Sequence, residues 1–262
     1  MSESIDEHDL KAGDVLLYHG TSFVSHMIRL FDGSHYNHAS ICDGSGVAEA
    51  VDRGVIHDAI AASTADAKFV DVFRFRSNAG NGLDDSGYGA QPVVDRINYY
   101  LAQHERYAYE EIVLLAFLAA TRRLPVASWI PGLGRILRTI LDNAVDIINA
   151  MIAEGKEPMI CSEFVYRCYV EAGDKYAIGI VGADRLMKFS IHDSLSQGLM
   201  PLAGAEEQDQ EAQELAASAQ EFLHLFAAAR KTTNRLLAVA DFVTPRDIAT
   251  SPNLIRIGRL KH

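Results

Sequence analysis

The order of apolar and polar positions divides the chain into a part that predicts strands and a part that predicts helices. Short apolar or alternating runs, bounded by Gly, Asp and Ser, predict β-strands before residue 76. These runs are DVLLYHG (14–20), NHASIC (37–42), VAEAV (47–51) and KFVDVFRF (68–75). After residue 92 the apolar residues recur at the spacing of α-helices. The helical patterns cover about 93–122, 135–153, a segment that begins near Cys161, and about 205–240.

Local signals mark the boundaries of these elements. The stretch 77–91 holds four glycines and few apolar residues, which predicts a loop. Thr244 followed by Pro245 is typical of a helix start, with the threonine as the cap. Strands that precede a run of helices predict the α+β class. We expect one domain over residues 1–262, with a helical insertion at about 93–155 and a long helix after it.

Composition limits the classes of function. Lys and Arg total 24 against 35 Asp and Glu, so the net charge is -11 and no basic stripe is available to bind phosphates. We therefore expect no nucleic-acid partner. The acidic N-terminus lacks the basic and apolar regions of a signal peptide, and the most apolar run (112–120) is half the length of a membrane span. The cytoplasm is the default location, although export by machinery that reads other signals would leave no trace in the sequence.

The predicted hairpin NHASICDGSGVAEAV places a histidine beside a glutamate. In the register that the DGSG turn favours, Ser40 pairs with Glu49. Because side chains alternate along a strand, His38 then shares a face with Glu49 and is its diagonal neighbour, within reach of a hydrogen bond. A slip of one residue would put Glu49 on the opposite face. Asn37 and Ser40 are further candidates for orienting the imidazole.

An imidazole with an orienting carboxylate needs a nucleophile, and the segment PMICSEFVYRCYVEAG supplies a cysteine. Pro158 disfavours helix just before this segment, so that Cys161 or Ser162 opens the helix. A thiol in a first helical turn lies at the positive end of the macrodipole, which favours the thiolate. Cys161 is therefore the expected reactive cysteine.

The other cysteines and a second histidine have structural interpretations. Three cysteines are an odd number, which argues against a disulfide framework. Cys168 shares a helical stripe with Phe164, and Cys42 lies on an apolar strand, so that both are expected in the core. His35 and His38 have His-x-x-His spacing, but a loop entering a strand does not place them on one face. We predict no metal site and no cofactor, and expect His35 to shape the loop or the rim of a cleft.

Three motifs together resemble the circularly permuted NlpC superfamily of papain-like cysteine hydrolases, in particular its YiiX-like bacterial members. GDVLLY looks like the family's opening strand, and SHYNHASI looks like its histidine signature, with Asn37 in place of the usual serine. ICSEFV looks like its nucleophile helix, with Ile160 in place of an aromatic residue. The histidine strand precedes the cysteine helix, which is the order of the permuted branch. The resemblance covers roughly residues 12–76, 156–173 and 240–254.

The resemblance implies a single permuted papain-like catalytic domain in which an antiparallel sheet packs on the cysteine helix. It implies Cys161 as nucleophile, His38 as general base and then acid, and Glu49 as the third, orienting residue. The backbone N–H of Cys161 would belong to the oxyanion hole. Candidates for further oxyanion or substrate contacts are Tyr18, His19 and Ser162.

Three functions follow from these residues. The first is an amidase or peptidase that cleaves peptide or peptidoglycan-like links through a thioester. The second is a lipid acyl hydrolase or acyltransferase, because the family is related to lecithin:retinol acyltransferase. The third is a binding module without turnover, which the joint presence of His38, Glu49 and Cys161 disfavours.

The apolar segment 112–152 bears on the choice between the two enzymes. Its helices are compatible with a lipid interface or, as we favour, with completion of the core. The net charge of -11 also disfavours an anionic membrane as a partner. The interfacial candidates in this segment are Arg122, Arg123, Trp129, Arg135 and Arg138.

Overall fold

The computed structural model describes residues 4–51, 54–102, 106–107, 113–116, 118, 132–155, 157–183, 210–229, 240 and 243–261. The strands are β1 (Ser4–Ile5), β2 (Val15–Gly20), β3 (His38–Cys42), β4 (Val47–Val51), β5 (Gly54–Asp58), β6 (Ala67–Phe75), β7 (Arg106–Tyr107), β8 (Glu157–Pro158) and β9 (Leu254–Leu260). The α-helices are α1 (Phe23–Asp32), α2 (Ile60–Thr64), α3 (Gln91–Ala102), α4 (Leu133–Ala153), α5 (Cys161–Val170), α6 (Gln210–Ala228) and α7 (Pro245–Ala249).

A mixed sheet of seven strands, in the order β1-β9-β6-β2-β3-β4-β5, forms the centre of the fold. The α+β class is therefore confirmed, and five of the six described strand pairs in this sheet are antiparallel, as expected. The exception was not predicted. Strand β1 runs parallel to β9, with Ser4 opposite Arg259 and Ile5 opposite Leu260. This pair joins the two ends of the described chain and covers an edge of β9, which no local sequence pattern can predict. The finer assignment to a permuted papain-like fold stays a prediction.

The predicted hairpin forms in the predicted register. Ser40 pairs with Glu49 and Cys42 pairs with Val47, across a turn in which the Asp43 carboxylate accepts from the backbone N–H groups of Ser45 and Gly46. Aspartate at this position stabilises a tight turn by bonding the backbone two or three residues on. The turn therefore fixes the register that places Glu49 on the same face as Ser40.

The two faces of the sheet bury different elements. Ala39, Ile41 and Ala48 belong to the larger core, together with the apolar residues of α5. Leu16, Cys42 and other side chains of the opposite face form a smaller core, which Ile60 of α2 covers. Each face is packed because residues alternate along the strands and both sets of alternating positions are largely apolar.

Helices α4 and α6 pack against each other and join the larger core. Their buried residues recur at alternating spacings of four and three, as in paired helices that present one continuous seam. The positions of this seam are Leu137, Leu141, Ala144, Ile148 and Met151 on α4, and Leu215, Ala219, Phe222 and Phe226 on α6; Val145 and Leu223, each next to a seam residue, are buried as well. For the described residues this confirms that the helical segment completes the core. Arg122, Arg123 and Trp129 lie outside the described residues.

Several elements were not predicted from the sequence, among them helix α1 at the cleft and strand β9. Helix α1 begins at Ser22, whose hydroxyl accepts from the backbone N–H of Ser25 at 3.0 Å, and ends at Gly33, whose φ is +62°. Both are ordinary signals for helix ends. The helix was nevertheless not predicted, because these signals lie between strands and enclose only ten residues. Strand β9 was missed in the same way, because it pairs with β6 far upstream. The predicted cap at Thr244, with Pro245 as the first residue of α7, is confirmed.

None of the helices that the structure describes combines the length and the hydropathy needed to cross a membrane.

Candidate active site

A cleft of about 520 Å³ lies where β3 and α5 begin. His38 is the first residue of β3 and Cys161 is the first residue of α5, and both line the cleft. Polar and small residues of the surrounding loops and apolar residues of the helices form the remaining wall. These residues include Thr21, Ser22, Val24, Ser63, Asp66, Leu114 and Ile160.

His38 and Glu49 form a buried pair at the side of the cleft. The distance between His38 Nε2 and Glu49 Oε2 is 2.7 Å. Their side chains are 18% and 7% exposed. Because a carboxylate only accepts, Nε2 carries the proton and donates it to Glu49. The diagonal contact predicted from the hairpin is therefore present, and it selects one orientation of the ring.

Cys161 reaches the same imidazole from the other side of the sheet. Its helix α5 packs on the face of Ala39 and Ile41, whereas alternation places His38 on the opposite face. The two residues meet at the end of the sheet, where both elements begin, and the ring of His38 hydrogen-bonds the Cys161 side chain. Since Glu49 occupies Nε2, Nδ1 is the nitrogen that remains for the thiol.

The environment of His38 favours the imidazolium. Burial by itself lowers the pKa of His38, but the charge of Cys161, its hydrogen bond to the ring and the contact with Glu49 outweigh this effect. The pKa of His38 is therefore raised well above its ordinary value. A thiolate beside an imidazolium is the ground state that cysteine hydrolases of this chemistry use.

All three cysteines are free thiols, but only Cys161 lies at the cleft. Burial raises the pKa of Cys42 to about 11, and burial also raises the pKa of Cys168 well above its ordinary value. Both side chains lie in the core, as expected from their strand and helix positions. The two buried thiols are therefore poor nucleophiles near neutral pH.

Tyr18 lies beside His38, but its hydroxyl already has partners. The Tyr18 hydroxyl is 2.6 Å from Ser40 Oγ and 2.8 Å from Ser63 Oγ, and the Tyr18 ring meets the His38 ring edge-on at 5.2 Å. Burial, assisted by the charge of Glu49, raises the pKa of the Tyr18 hydroxyl, which keeps it protonated. This arrangement favours a structural role in holding β2, β3 and α2 together over the predicted role as an oxyanion donor.

We expect Tyr18→Phe to lower the free energy of unfolding by ~1 kcal/mol, because the buried hydroxyl of Ser40 and the partly buried hydroxyl of Ser63 each lose a hydrogen-bond partner. Turnover should fall less than about tenfold, whereas loss of an oxyanion donor would cost roughly 10²-fold to 10³-fold. Urea unfolding and steady-state kinetics measure the two effects. Tyr176→Phe, which removes a hydroxyl bonded to the Tyr88 carbonyl away from the cleft, is the matched control. A hundredfold loss of turnover in Tyr18→Phe alone would instead assign Tyr18 to the oxyanion hole.

The other two candidates for substrate contacts have side chains directed elsewhere. His19 Nδ1 donates to the His35 carbonyl at 2.8 Å, and the His19 ring packs on Phe69 with a centroid distance of 4.5 Å. The Ser162 hydroxyl is buried and donates to the Val243 carbonyl at 2.7 Å, which ties α5 to the start of α7. His35 is exposed in the loop before β3, and its carbonyl holds the His19 ring.

Asn37, which replaces the usual serine of the resembled signature, shapes the cleft wall. Its Oδ1 accepts from the Gly20 backbone N–H at 2.6 Å, and its Nδ2 donates to Ser25 Oγ at 3.1 Å. A Cβ at Gly20 would lie 2.6 Å from Ser25 Oγ, so this close approach requires glycine. These hydrogen bonds could not be predicted from local sequence patterns, because they join residues of β2, α1 and the loop before β3.

A second group of catalytic residue types lies away from the cleft, where His57 of β5 meets the hairpin turn. Ser45 Oγ and Asp43 Oδ2 approach the same nitrogen, His57 Nε2, at 3.2 and 3.0 Å. A relay needs the acid and the nucleophile on opposite ring nitrogens, so this group cannot act as a triad. Among the described residues, no three side chains of His, Cys, Asp or Glu are grouped to hold a metal ion.

No family model matches this sequence, and no curated protein matches it. The chain is similar in structure to the metalloprotein yiiX from Escherichia coli O157:H7, seen in a crystal structure. The two share 16% sequence identity with a TM-score of 0.43, and the alignment covers 95% of this chain and 97% of that chain. A likeness at this level does not transfer a metal or an activity to this chain.

Proposed function

We propose that the protein is a cysteine-dependent acyl hydrolase of the amidase or peptidase type. The observation that carries the proposal is the buried contact of 2.7 Å between His38 and Glu49, with Cys161 on the other side of the imidazole at a helix start. The nucleophile contacts the base and the base contacts the orienting acid, which is the order of contacts that this chemistry requires. His38 and Cys161 line one cleft, and Glu49 lies behind the imidazole of His38.

In the proposed reaction the Cys161 thiolate attacks the carbonyl carbon of the substrate. The C–S bond forms as the C=O electron pair moves to oxygen, and backbone N–H groups of the first turn of α5 would stabilise the oxyanion. His38 donates its Nδ1 proton to the leaving group as the acyl bond breaks, which leaves a thioester on Cys161. Neutral His38 then takes a proton from water, whose oxygen attacks the thioester and releases the acid.

The wall of the cleft supports an amide substrate. Thr21, Ser63 and Asp66 contribute polar side chains to the cleft wall. The Thr21 hydroxyl donates to the Asp66 carbonyl and the Ser63 hydroxyl contacts that of Tyr18, and each hydroxyl oxygen has a further lone pair that can accept from a substrate N–H. Such groups can bond the N–H and C=O groups of a peptide on either side of the cleaved link.

One observation supports the alternative, a lipid acyl hydrolase or acyltransferase. Phe23, the first residue of α1, directly follows the cleft residues Thr21 and Ser22 and is 58% exposed. Leu30 on the same helix is also exposed. Seven residues apart, they share one side of the helix. An exposed apolar side next to a cleft is typical of enzymes that work at a lipid surface.

Wild-type protein and Cys161→Ala should be compared on peptide amides, peptidoglycan fragments, short acyl esters and phospholipid vesicles. Amide cleavage that is lost in Cys161→Ala is the expected result. Fatty-acid release lost in Cys161→Ala, with no amide cleavage, would favour the lipid alternative. Equal and negligible turnover on every substrate, with a thiol that reacts no faster than a buried cysteine, would leave the binding module as the better explanation.

A further inference from the structure

A chain of charged side chains, buried at Glu163 and Arg167 and partly exposed at Glu171 and Arg96, runs along the nucleophile helix. The Glu163 Oε1 atom accepts from Arg167 Nε at 2.7 Å, and Arg167 Nη1 lies 3.4 Å from Glu171 Oε1. Glu171 also accepts from Arg96 of α3 and, at 2.7 Å, from the Tyr100 hydroxyl. Two carboxylates and two guanidinium groups give this chain of four residues a net charge of zero.

The first member of this charged chain lies next to the nucleophile. Glu163 is two residues after Cys161, and its Oε2 accepts from the backbone N–H of Ile160, which precedes the helix, at 3.3 Å. Glu163 therefore fixes the helix start by bonding one of its free N–H groups. Glu163 and Arg167 are each 1% exposed, so water does not screen their charges.

The negative charge of the Glu163 carboxylate disfavours a thiolate at Cys161 unless a cation balances it. A negative charge in the first turn stabilises a helix, but it also repels a thiolate formed two residues away. Among the described residues, the other ionisable groups near Cys161 are His38 of β3, Glu49 behind it on β4, and Tyr18 and Asp66 at the cleft wall. Of these, only His38 is a cation when charged, and Glu49 already shares it.

We propose that Arg167 is a positioning residue for the reaction: it neutralises Glu163, so that this carboxylate can cap the nucleophile helix without repelling the Cys161 thiolate. Arg96 completes the arrangement by balancing Glu171, which would otherwise compete for Arg167. The inference rests on the proposed function, because it takes Cys161 as the thiolate nucleophile. Glu163 and Arg167 are four residues apart, which is the spacing of the Glu–Arg pairs found on exposed helix surfaces. Only because this pair is buried can its charges influence the Cys161 thiolate.

The test measures the rate of Cys161 alkylation by iodoacetamide against pH in variants of the full chain. Arg167→Met leaves the Glu163 charge unbalanced and should raise the midpoint of the pH profile by about one unit, because unscreened charges at this range interact strongly. Glu163→Gln leaves the arginine charge unbalanced and should lower the midpoint. The double variant Glu163→Gln/Arg167→Met should return it to the wild-type position. Opposite shifts are the signature of charge, since structural damage would change both single variants in the same direction.

Controls separate this inference from the proposed function. Arg74→Met also removes a guanidinium from a buried carboxylate, Asp14, and should leave the midpoint unchanged. Because an unpaired buried carboxylate strongly destabilises a protein, Arg167→Met can fail to fold. The comparison of wild type, Glu163→Gln and the double variant then decides. A reactive wild-type Cys161 whose midpoint is the same in all variants would overturn the role of Arg167 alone, whereas an unreactive wild-type Cys161 would overturn the proposed function.

Discussion

Replacement of Cys161 by alanine is expected to lower turnover by roughly 10³-fold or more, because it removes the atom that forms the thioester. The same variant should lose the only thiol that reacts quickly near neutral pH. Burial raises the pKa of Cys42 to about 11, and it raises the pKa of Cys168 well above its ordinary value. One rapidly alkylated thiol per chain is therefore expected for the wild type and none for Cys161→Ala, as measured by mass spectrometry after a short exposure to iodoacetamide.

The matched control is Cys168→Ala, seven residues further along the same helix. Cys168 is fully buried in the core, so this variant should lose ~1 kcal/mol of stability through the lost side-chain volume and keep its turnover. If turnover survives in Cys161→Ala, or if Cys168 proves to be the fast thiol, the nucleophile has been assigned to the wrong residue.

Replacement of His38 by alanine should lower turnover by roughly 10²-fold to 10⁴-fold, the usual contribution of a positioned general acid and base. Substrate binding should change much less, so that kcat falls and KM is nearly constant. His57→Ala is the control, because His57 also pairs with a carboxylate, Asp43 at 3.0 Å, but lies on β5 beside the hairpin turn and is not among the residues that line the cleft. Equal losses of turnover in His57→Ala and His38→Ala would mean that the loss of any histidine–carboxylate contact of the hairpin disturbs its structure. The effect of His38→Ala would then not indicate a role in the reaction.

The effect of His38→Ala on the free energy of unfolding is expected to depend on pH. The pKa of His38 is raised in the folded state, so its contribution to stability is fully present below the unfolded value of about 6.5. This contribution is lost as the pH rises through the raised folded value. Urea unfolding of wild type and His38→Ala should therefore show a difference at pH 6 that becomes smaller at high pH. A difference that grows with pH would contradict the imidazolium assignment.

Much of the local arrangement could be predicted from sequence because it depends on short-range periodicity. The turn residues and the alternation of the hairpin fixed which face carries His38 and Glu49, and both the register and the contact are present. The helix start at Cys161 also follows from local signals. The buried positions of α4 do not follow from its helical pattern alone, since Ile136 and Ile152 are apolar residues of that pattern and are exposed. Several residues of a helical stripe can face solvent, and only the partner helix α6 decides which ones do.

The sequence by itself determined the α+β class, the His38–Glu49 face, the helix that Cys161 opens, and the core positions of Cys42 and Cys168. Only the tertiary structure decided that His38 and Cys161, which are 123 positions apart, meet at one end of the sheet. It also decided that the Tyr18 hydroxyl is already bonded and that Arg167 is buried. The physical reason is the same throughout: alternation and helical spacing act between neighbours, whereas burial and charge balance depend on which distant elements pack together.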